Sequence, residues 1–284
     1  MSPSDGNLEL PNGLLALLKQ APADLVPRSS GMVIGQETKY ITWDFNEQPF
    51  EQLELLQVTD MQFGHVMCKV KRVLEYRDWV LAEPNRFMLW TGDNVDAWAL
   101  WSPGSPWDNL NDPQSQVYKF VELWAPARHR ILGYVGGNHE RRAAKGFGDL
   151  GLLISTLLQL PYSSGRQWVD IRFGKHNPFK VSLWHGVGGA RTKGTVGQIL
   201  DRFMNQGDSD LYLMGHLHQP MILPAWKQVR GNNRITLKKC FGAVGSSFLD
   251  TWGTYGETAG FAAHDVLMPR CVVDRAGHYE LTLR

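Results

Sequence analysis

Cysteine is scarce in this chain: three among 284 residues, at Cys68, Cys240 and Cys271. Widely spaced and odd in number, they exclude a disulfide framework and a Cys-rich zinc site, and read as reduced, buried thiols. Charge of one sign is lacking too. Twenty-nine basic residues stand against 28 acidic ones, a formal net charge of +1, so there is no global electrostatic footprint for nucleic acid and only local patches remain for that purpose. The densest are Arg128, His129 and Arg130, read as a solvated surface run, and Arg141, Arg142 and Lys145, directly after a polar cluster. No apolar run reaches the roughly 18 residues of a membrane span. The early run at Leu14 to Leu18 has neither charged leader nor cleavage site, so a soluble, cytoplasmic protein without a membrane partner is expected. A phosphate-cradling GxxxxGK loop and a GxSxG nucleophile elbow are both missing, which disfavours a serine hydrolase. One GxGxxG match, Gly146 to Gly151, follows no strand and sits in no βαβ unit. Helix-connecting glycines explain it better than a dinucleotide site.

What is present is ample apolar content, 43%, in a pattern of short blocks. Residues 1–45 read as an extension and linker, with one short amphipathic helix near Leu14 to Lys19 and a turn-rich connector. Residues 46–284 read as a single domain. Its first half predicts a strand at 53–59, a helix with Val66, Val70, Val73 and Leu74 on one face, and a strand at 87–91. A second helix is capped by Asp112 with Pro113 at its first position and carries Val117, Phe120, Val121 and Trp124 toward a core; a strand at 131–135 follows. That order is a βαβαβ unit with a parallel sheet. The second half predicts strands near 167–173, 179–184, 210–214, 221–229, 234–243 and 270–283, plus a helix carrying Val196, Ile199, Leu200 and Phe203. The expected fold is α/β: a four-layer αββα sandwich with two mixed β-sheets flanked by helices.

Five polar clusters punctuate the apolar runs: Asp60-Met61-Gln62, Gly92-Asp93-Asn94-Val95-Asp96, Gly137-Asn138-His139-Glu140, His185-Gly186 and Gly215-His216-Leu217-His218. Short continuous apolar runs read as buried strands, and ligands of open α/β folds gather at the carboxyl ends of such strands. The clusters can therefore converge although they are far apart in sequence. Their residue types are a carboxylate able to bridge two ions, neutral imidazoles and amide oxygens, the donor set of a pair of divalent metals. Two such metals about 3.5 to 4 Å apart activate water and neutralise charge in phosphoester hydrolysis.

In order and spacing these blocks resemble the calcineurin-like metallophosphoesterase superfamily, whose pattern is DxH, GDxxD, GNHE or GNHD, an isolated His, then GHxH. The resemblance runs over residues 60–218. It implies that Asp60, Gln62, Asp93 and His218 hold one metal, and that Asp93, Asn138, His185 and His216 hold the other, with Asp93 bridging. A hydroxide shared by the metals would attack, His139 would protonate the leaving oxygen, Asp96 would orient that imidazole, and Arg141 would hold a substrate phosphate. Gln62 departs from the pattern, standing where the family has His. An amide oxygen is a weaker, harder ligand, so manganese is the expected metal, with iron, zinc and nickel as alternatives. His65 is a substitute ligand, or a capping or packing residue if a helix starts at Phe63. Gln at this place is similar to phage and prophage members, as is the segment Gly245 to Phe261.

The implied activity is hydrolysis of phosphodiesters in nucleotides or nucleic acid. The alternatives are a phosphomonoesterase, disfavoured as a protein phosphatase because Ala97-Trp98 rather than Arg-Gly follow the second block, and a non-catalytic scaffold, which has no need of His139 and Asp96. Trp98, Trp101 and Trp107 could stack on bases, or cover the underside of their own loop. Oligomeric state is not legible.

Overall fold

Alternation inside the apolar runs decides the architecture. In Phe87-Met88-Leu89-Trp90 successive side chains enter different cores, Phe87 and Leu89 one and Met88 and Trp90 another, and all four are fully buried. A strand apolar on both faces has to be covered on both.

The computed structural model describes residues 28–284 apart from 103–104, 175–176, 232–233, 253–256, 258–259 and 261–262; the helix expected near Leu14 to Lys19 lies outside the described residues. In chain order the elements are β1 (Arg28–Ser30), β2 (Tyr40–Asp44), β3 (Gln52–Val58), α1 (Val70–Ala82), β4 (Arg86–Trp90), α2 (Pro113–Trp124), β5 (Ile131–Val135), α3 (Asn138–Phe147) and α4 (Leu150–Leu158). There follow β6 (Tyr162–Ser163), β7 (Arg166–Arg172), β8 (Phe179–Trp184), α5 (Lys193–Met204), β9 (Leu211–Met214), β10 (Met221–Gly231), β11 (Arg234–Val244), β12 (Pro269–Asp274) and β13 (Tyr279–Leu283).

One sheet has the order β13-β12-β3-β4-β5-β6 and the other β1-β2-β7-β8-β9-β11-β10. β3, β4 and β5 run parallel, the crossover unit that the first half predicts, while β12 and β13 pair antiparallel beside them. The second sheet mixes parallel pairs, β8 with β9 and β9 with β11, and antiparallel ones. A core of Leu53, Leu55, Phe87, Leu89, Val181, Leu183 and their neighbours lies between the sheets. A second core joins the six-stranded sheet to α1 through α4 around Trp90, Phe120 and Trp124, and a third seats Val196, Leu200 and Phe203 of α5 on the seven-stranded sheet. This is the mixed α/β sandwich of two sheets flanked by helices. Among the described residues no helix is long and apolar enough to cross a membrane.

Three expectations need correcting. Residues 28–44, assigned to the extension, supply β1 and β2; β2 pairs with β7, and Ile41 and Trp43 enter the central core. Val66 lies outside α1, because Gln62 and Gly64 adopt left-handed backbone at φ 44° and 101° and no helix can start at Phe63. α1 instead buries Val73, Tyr76, Trp79 and Val80. The single strand expected at 270–283 is a hairpin, turned where Asp274 Oδ1 accepts from the Ala276 and His278 amides at 2.9 and 2.8 Å, with Gly277 at φ 84°.

Phe120 is fully buried, with ring centroids 5.5 Å from Trp90 and 5.9 Å from Phe63. Phe120→Ala should cost about 3–5 kcal/mol in urea unfolding, whereas Trp107→Ala, at a residue 88% exposed, should stay within about 0.5 kcal/mol. Equal costs would place the core elsewhere.

Candidate metal centre

Each polar cluster begins where a strand stops: Asp60 after β3, Asp93 after β4, Asn138 after β5, His185 after β8 and His216 after β9. The chain turns sharply there, at a conformational cost. Seven described residues other than glycine have positive φ, and five of them, Asp60, Gln62, Asp93, His216 and His218, belong to the expected ligand set. Left-handed backbone costs of order 1 kcal/mol or more per such residue and persists where surroundings over-determine it, typically at functional sites.

The turns brace one another. Gly92, at φ 92°, passes so close to the next turn that a Cβ would lie 2.6 Å from the Gly137 nitrogen. A Cβ on Gly137 would in turn collide with the Asp93 carboxylate. Glu140, fully buried, ties three of the strand-end amides together: its carboxylate accepts from Asn94 N at 2.8 Å, Asp93 N at 3.1 Å and Gly137 N at 3.0 Å, and from the Tyr134 hydroxyl at 3.2 Å. Sequence reading gave Glu140 no role. The available signal was its place as third residue of α3, where an acidic side chain reaches back to the helix start.

The seven expected ligands are brought together. His185 Nδ1 donates to the Thr91 carbonyl at 2.7 Å, so Nε2 is the nitrogen that faces inward. That atom lies 3.2 Å from Asp93 Oδ2 and 3.0 Å from Asn138 Oδ1. Three acceptors thus face one point, a geometry that holds only with a proton or a cation among them. His216 donates Nε2–H to the Gly188 carbonyl at 2.8 Å, leaving Nδ1 as its lone pair. Asp93, His185 and His216 offer ligand atoms that all lie within 4.8 Å of one another. Beside them His218 Nε2 is 3.0 Å from Asp60 Oδ1, and Asp60 Oδ2 accepts from Thr59 Oγ1 at 2.6 Å and His216 N at 2.9 Å. Gln62 Oε1 is buried without any partner, an orphan acceptor at the spot where an amide oxygen is expected to ligate. The donor set fits hard or borderline divalent cations.

Electrostatics point the same way. Asp60 and Asp93 are 0% and 1% exposed, and among the described residues their ion-pair partners are imidazoles alone. Burial would raise the Asp93 carboxyl, but His185 and His139 hold it well below the usual carboxylate range. Burial likewise opposes charge on His185, yet Asp93 pushes it up to about 9. Burial, then the charge of His185, lower His216.

His139 stands at the first turn of α3, with Nδ1 3.1 Å from Asp96 Oδ1 and Nε2 3.1 Å from Gln62 Nε2. Asn109 Nδ2 donates to the other Asp96 oxygen at 2.8 Å. Burial opposes protonation of His139, but Asp93 and Asp96 together raise its pKa. Arg141 is not brought to the site: its guanidinium donates to the Ser164 carbonyl at 3.0 Å. One residue on, about 100° further round the helix, Arg142 lies against the His139 ring, Nη2 at 3.0 Å from Nε2. His65 Nδ1 accepts from the Met67 amide at 3.0 Å. Over the ligands opens a cavity of about 290 Å³ lined also by His65, Trp98, Asn109, Arg142, Arg191 and His264.

No family model matches the sequence, and no curated protein matches it. Solved structures that are similar include the calcineurin-like phosphoesterase YfkN from Bacillus subtilis, 10% identical over 83% of this chain and 91% of its own, at a TM-score of 0.43. GAP50, the anchor in the inner membrane complex of Plasmodium, is 10% identical over 82% and 84%, at 0.44. The nuclease MPE of Pseudomonas putida is 13% identical over 80% and 87%, at 0.33. At such values the likeness carries nothing about the chemistry of the site, which side-chain geometry alone defines.

His185 is raised from 6.5 to about 9 in the metal-free fold. The stability it contributes is complete below about pH 6.5 and lost as pH climbs through 9. The urea midpoint of chelator-stripped protein should fall over that window, and His185→Gln or saturating manganese should flatten the fall. Equal slopes in all three would show that this imidazole carries no extra proton.

Proposed function

We propose that the chain is a metal-dependent phosphoesterase that hydrolyses phosphodiester bonds of nucleotides or nucleic acid with a pair of divalent ions, manganese foremost. The observation that carries this reading is the convergence of His185 Nε2 with the Asp93 and Asn138 oxygens at 3.0 to 3.2 Å. Asp60, Gln62, Asp93 and His218 would hold one ion and Asp93, Asn138, His185 and His216 the other. When bound, such ions neutralise phosphoryl charge and supply a nucleophilic water near neutral pH.

The chain's own residues do the remaining work. Asp96 would accept a hydrogen bond from Nδ1–H of the His139 imidazolium, which orients the ring and leaves its Nε2–H to meet the leaving oxygen. Asp93 and Asp96 keep that ring protonated toward neutral pH, as a general acid requires. The Glu140 brace holds Asp93 and Asn94 in place, so that the Asp93 carboxylate would not have to reorganise when it takes a cation. A proton donor positioned by its own carboxylate supports an enzyme over a passive scaffold. The run Ala97-Trp98 after the second block favours diesters over protein phosphomonoesters.

Asp93→Asn should remove manganese binding and activity together. His139→Ala should retain manganese yet slow turnover on bis-p-nitrophenyl phosphate by about 10² to 10⁴. Full activity of the manganese-loaded His139→Ala variant rejects the acid role, and faster cleavage of p-nitrophenyl phosphate than of the diester rejects the diester preference.

A further inference from the structure

The cavity brings acceptors and unsatisfied donors together. Gln62, Asp93 and Asn138 contribute acceptor atoms to its lining. Beside them stand two groups that can only donate: the indole Nε1–H of Trp98 and the guanidinium of Arg142. Both residues line the cavity, and both Trp98 Nε1 and Arg142 Nε are buried without a hydrogen-bond partner. Unsatisfied buried donors are uncommon and call for an explanation. Arg142 also has no carboxylate at ion-pair distance among the described residues; Asp93, Asp96 and Glu140 act on it only from further away.

Both donors are held where they are. Arg142 is the fifth residue of α3, its guanidinium against the His139 ring. Trp101 clips the loop that carries Trp98 onto the same helix: its Nε1 donates to the Arg142 carbonyl at 2.6 Å, and its ring lies where a side chain on Gly146 would be, 2.7 Å from that Cβ position. Loop and helix therefore present one rigid donor wall.

We propose that Arg142 and Trp98 form a donor clamp for the phosphoryl oxygens of the substrate, in the same cavity as the expected metal ligands. This rests on reading the site as a metal-dependent phosphoesterase centre. An oxyanion held in that cavity satisfies both orphan N–H groups and gives the guanidinium its counter-charge. The role expected of Arg141 passes to the next residue. The cavity of about 290 Å³ lies at the lower edge of small-molecule sites, so the clamp suits one phosphoester with a small substituent or an extruded end of a strand, and excludes an intact duplex.

The test is calorimetric binding of inorganic phosphate to the manganese-loaded full chain, compared with Arg142→Gln, Arg142→Lys and Trp98→Phe. Trp98→Phe keeps the ring and removes only the N–H. Each loss of a charge-assisted bond should weaken phosphate by about 10- to 100-fold, with partial recovery in Arg142→Lys. KM for bis-p-nitrophenyl phosphate should rise by a similar factor, while manganese affinity and melting temperature stay as in the native chain. Native phosphate affinity in manganese-loaded Trp98→Phe and Arg142→Gln overturns the clamp and leaves the metal centre standing. Failure of the native chain to take up manganese overturns the metal centre, and the clamp with it.

Discussion

Lone pairs from five strand ends point at one another across a few ångströms of protein interior, and the rest of the fold bears the consequences. Asp60 and Asp93 are buried carboxylates without a Lys or Arg counter-ion among the described residues. Burying carboxylates whose only ion-pair partners among the described residues are imidazoles carries a desolvation cost that a purely structural core would not need. Here the protein holds them in place with left-handed turns, interlocked Gly92 and Gly137, and the Glu140 carboxylate. Every one of these devices opposes local relaxation, and together they keep the acceptors from swinging out to water.

That rigidity needs the sandwich behind it. The strands that present Asp60, Asp93 and Asn138 come from one sheet and those that present His185 and His216 from the other, so the site spans both. The central core of Leu55, Leu89, Val181 and Leu213 fixes the relation between the two sets of strand ends. Any loosening of that core would be felt as a change in ligand distances. Fold stability and site geometry are coupled through these shared strands.

Much of this was legible in the sequence because the apolar runs are short and each stops at a polar cluster. The parallel unit of β3, β4 and β5 and the convergence of Asp60, Gln62, Asp93, Asn138, His185, His216 and His218 follow from that punctuation. Other features were hidden for definite reasons. β2 was missed because its run, Tyr40-Ile41-Thr42-Trp43, is brief and follows a turn-rich segment, and its pairing with β7 is remote in sequence. The hairpin of β12 and β13 hid in a continuous strand reading although Asp274 and Gly277 mark the turn. That Arg142 rather than Arg141 faces the cavity depends on the phase of α3, which only the packed helix defines. Glu140 received no role because its partners, at the ends of β4 and β5, are remote from it in the sequence or hidden in the turn.

If paired cations are what reconcile these acceptors, they can be seen directly. Anomalous diffraction from manganese-soaked crystals should give two peaks about 3.5 to 4 Å apart, one between Asp93, His185 and His216 and the other between Asp60, Gln62 and His218. A map without peaks there, or with manganese bound only elsewhere on the molecule, would contradict the metal centre.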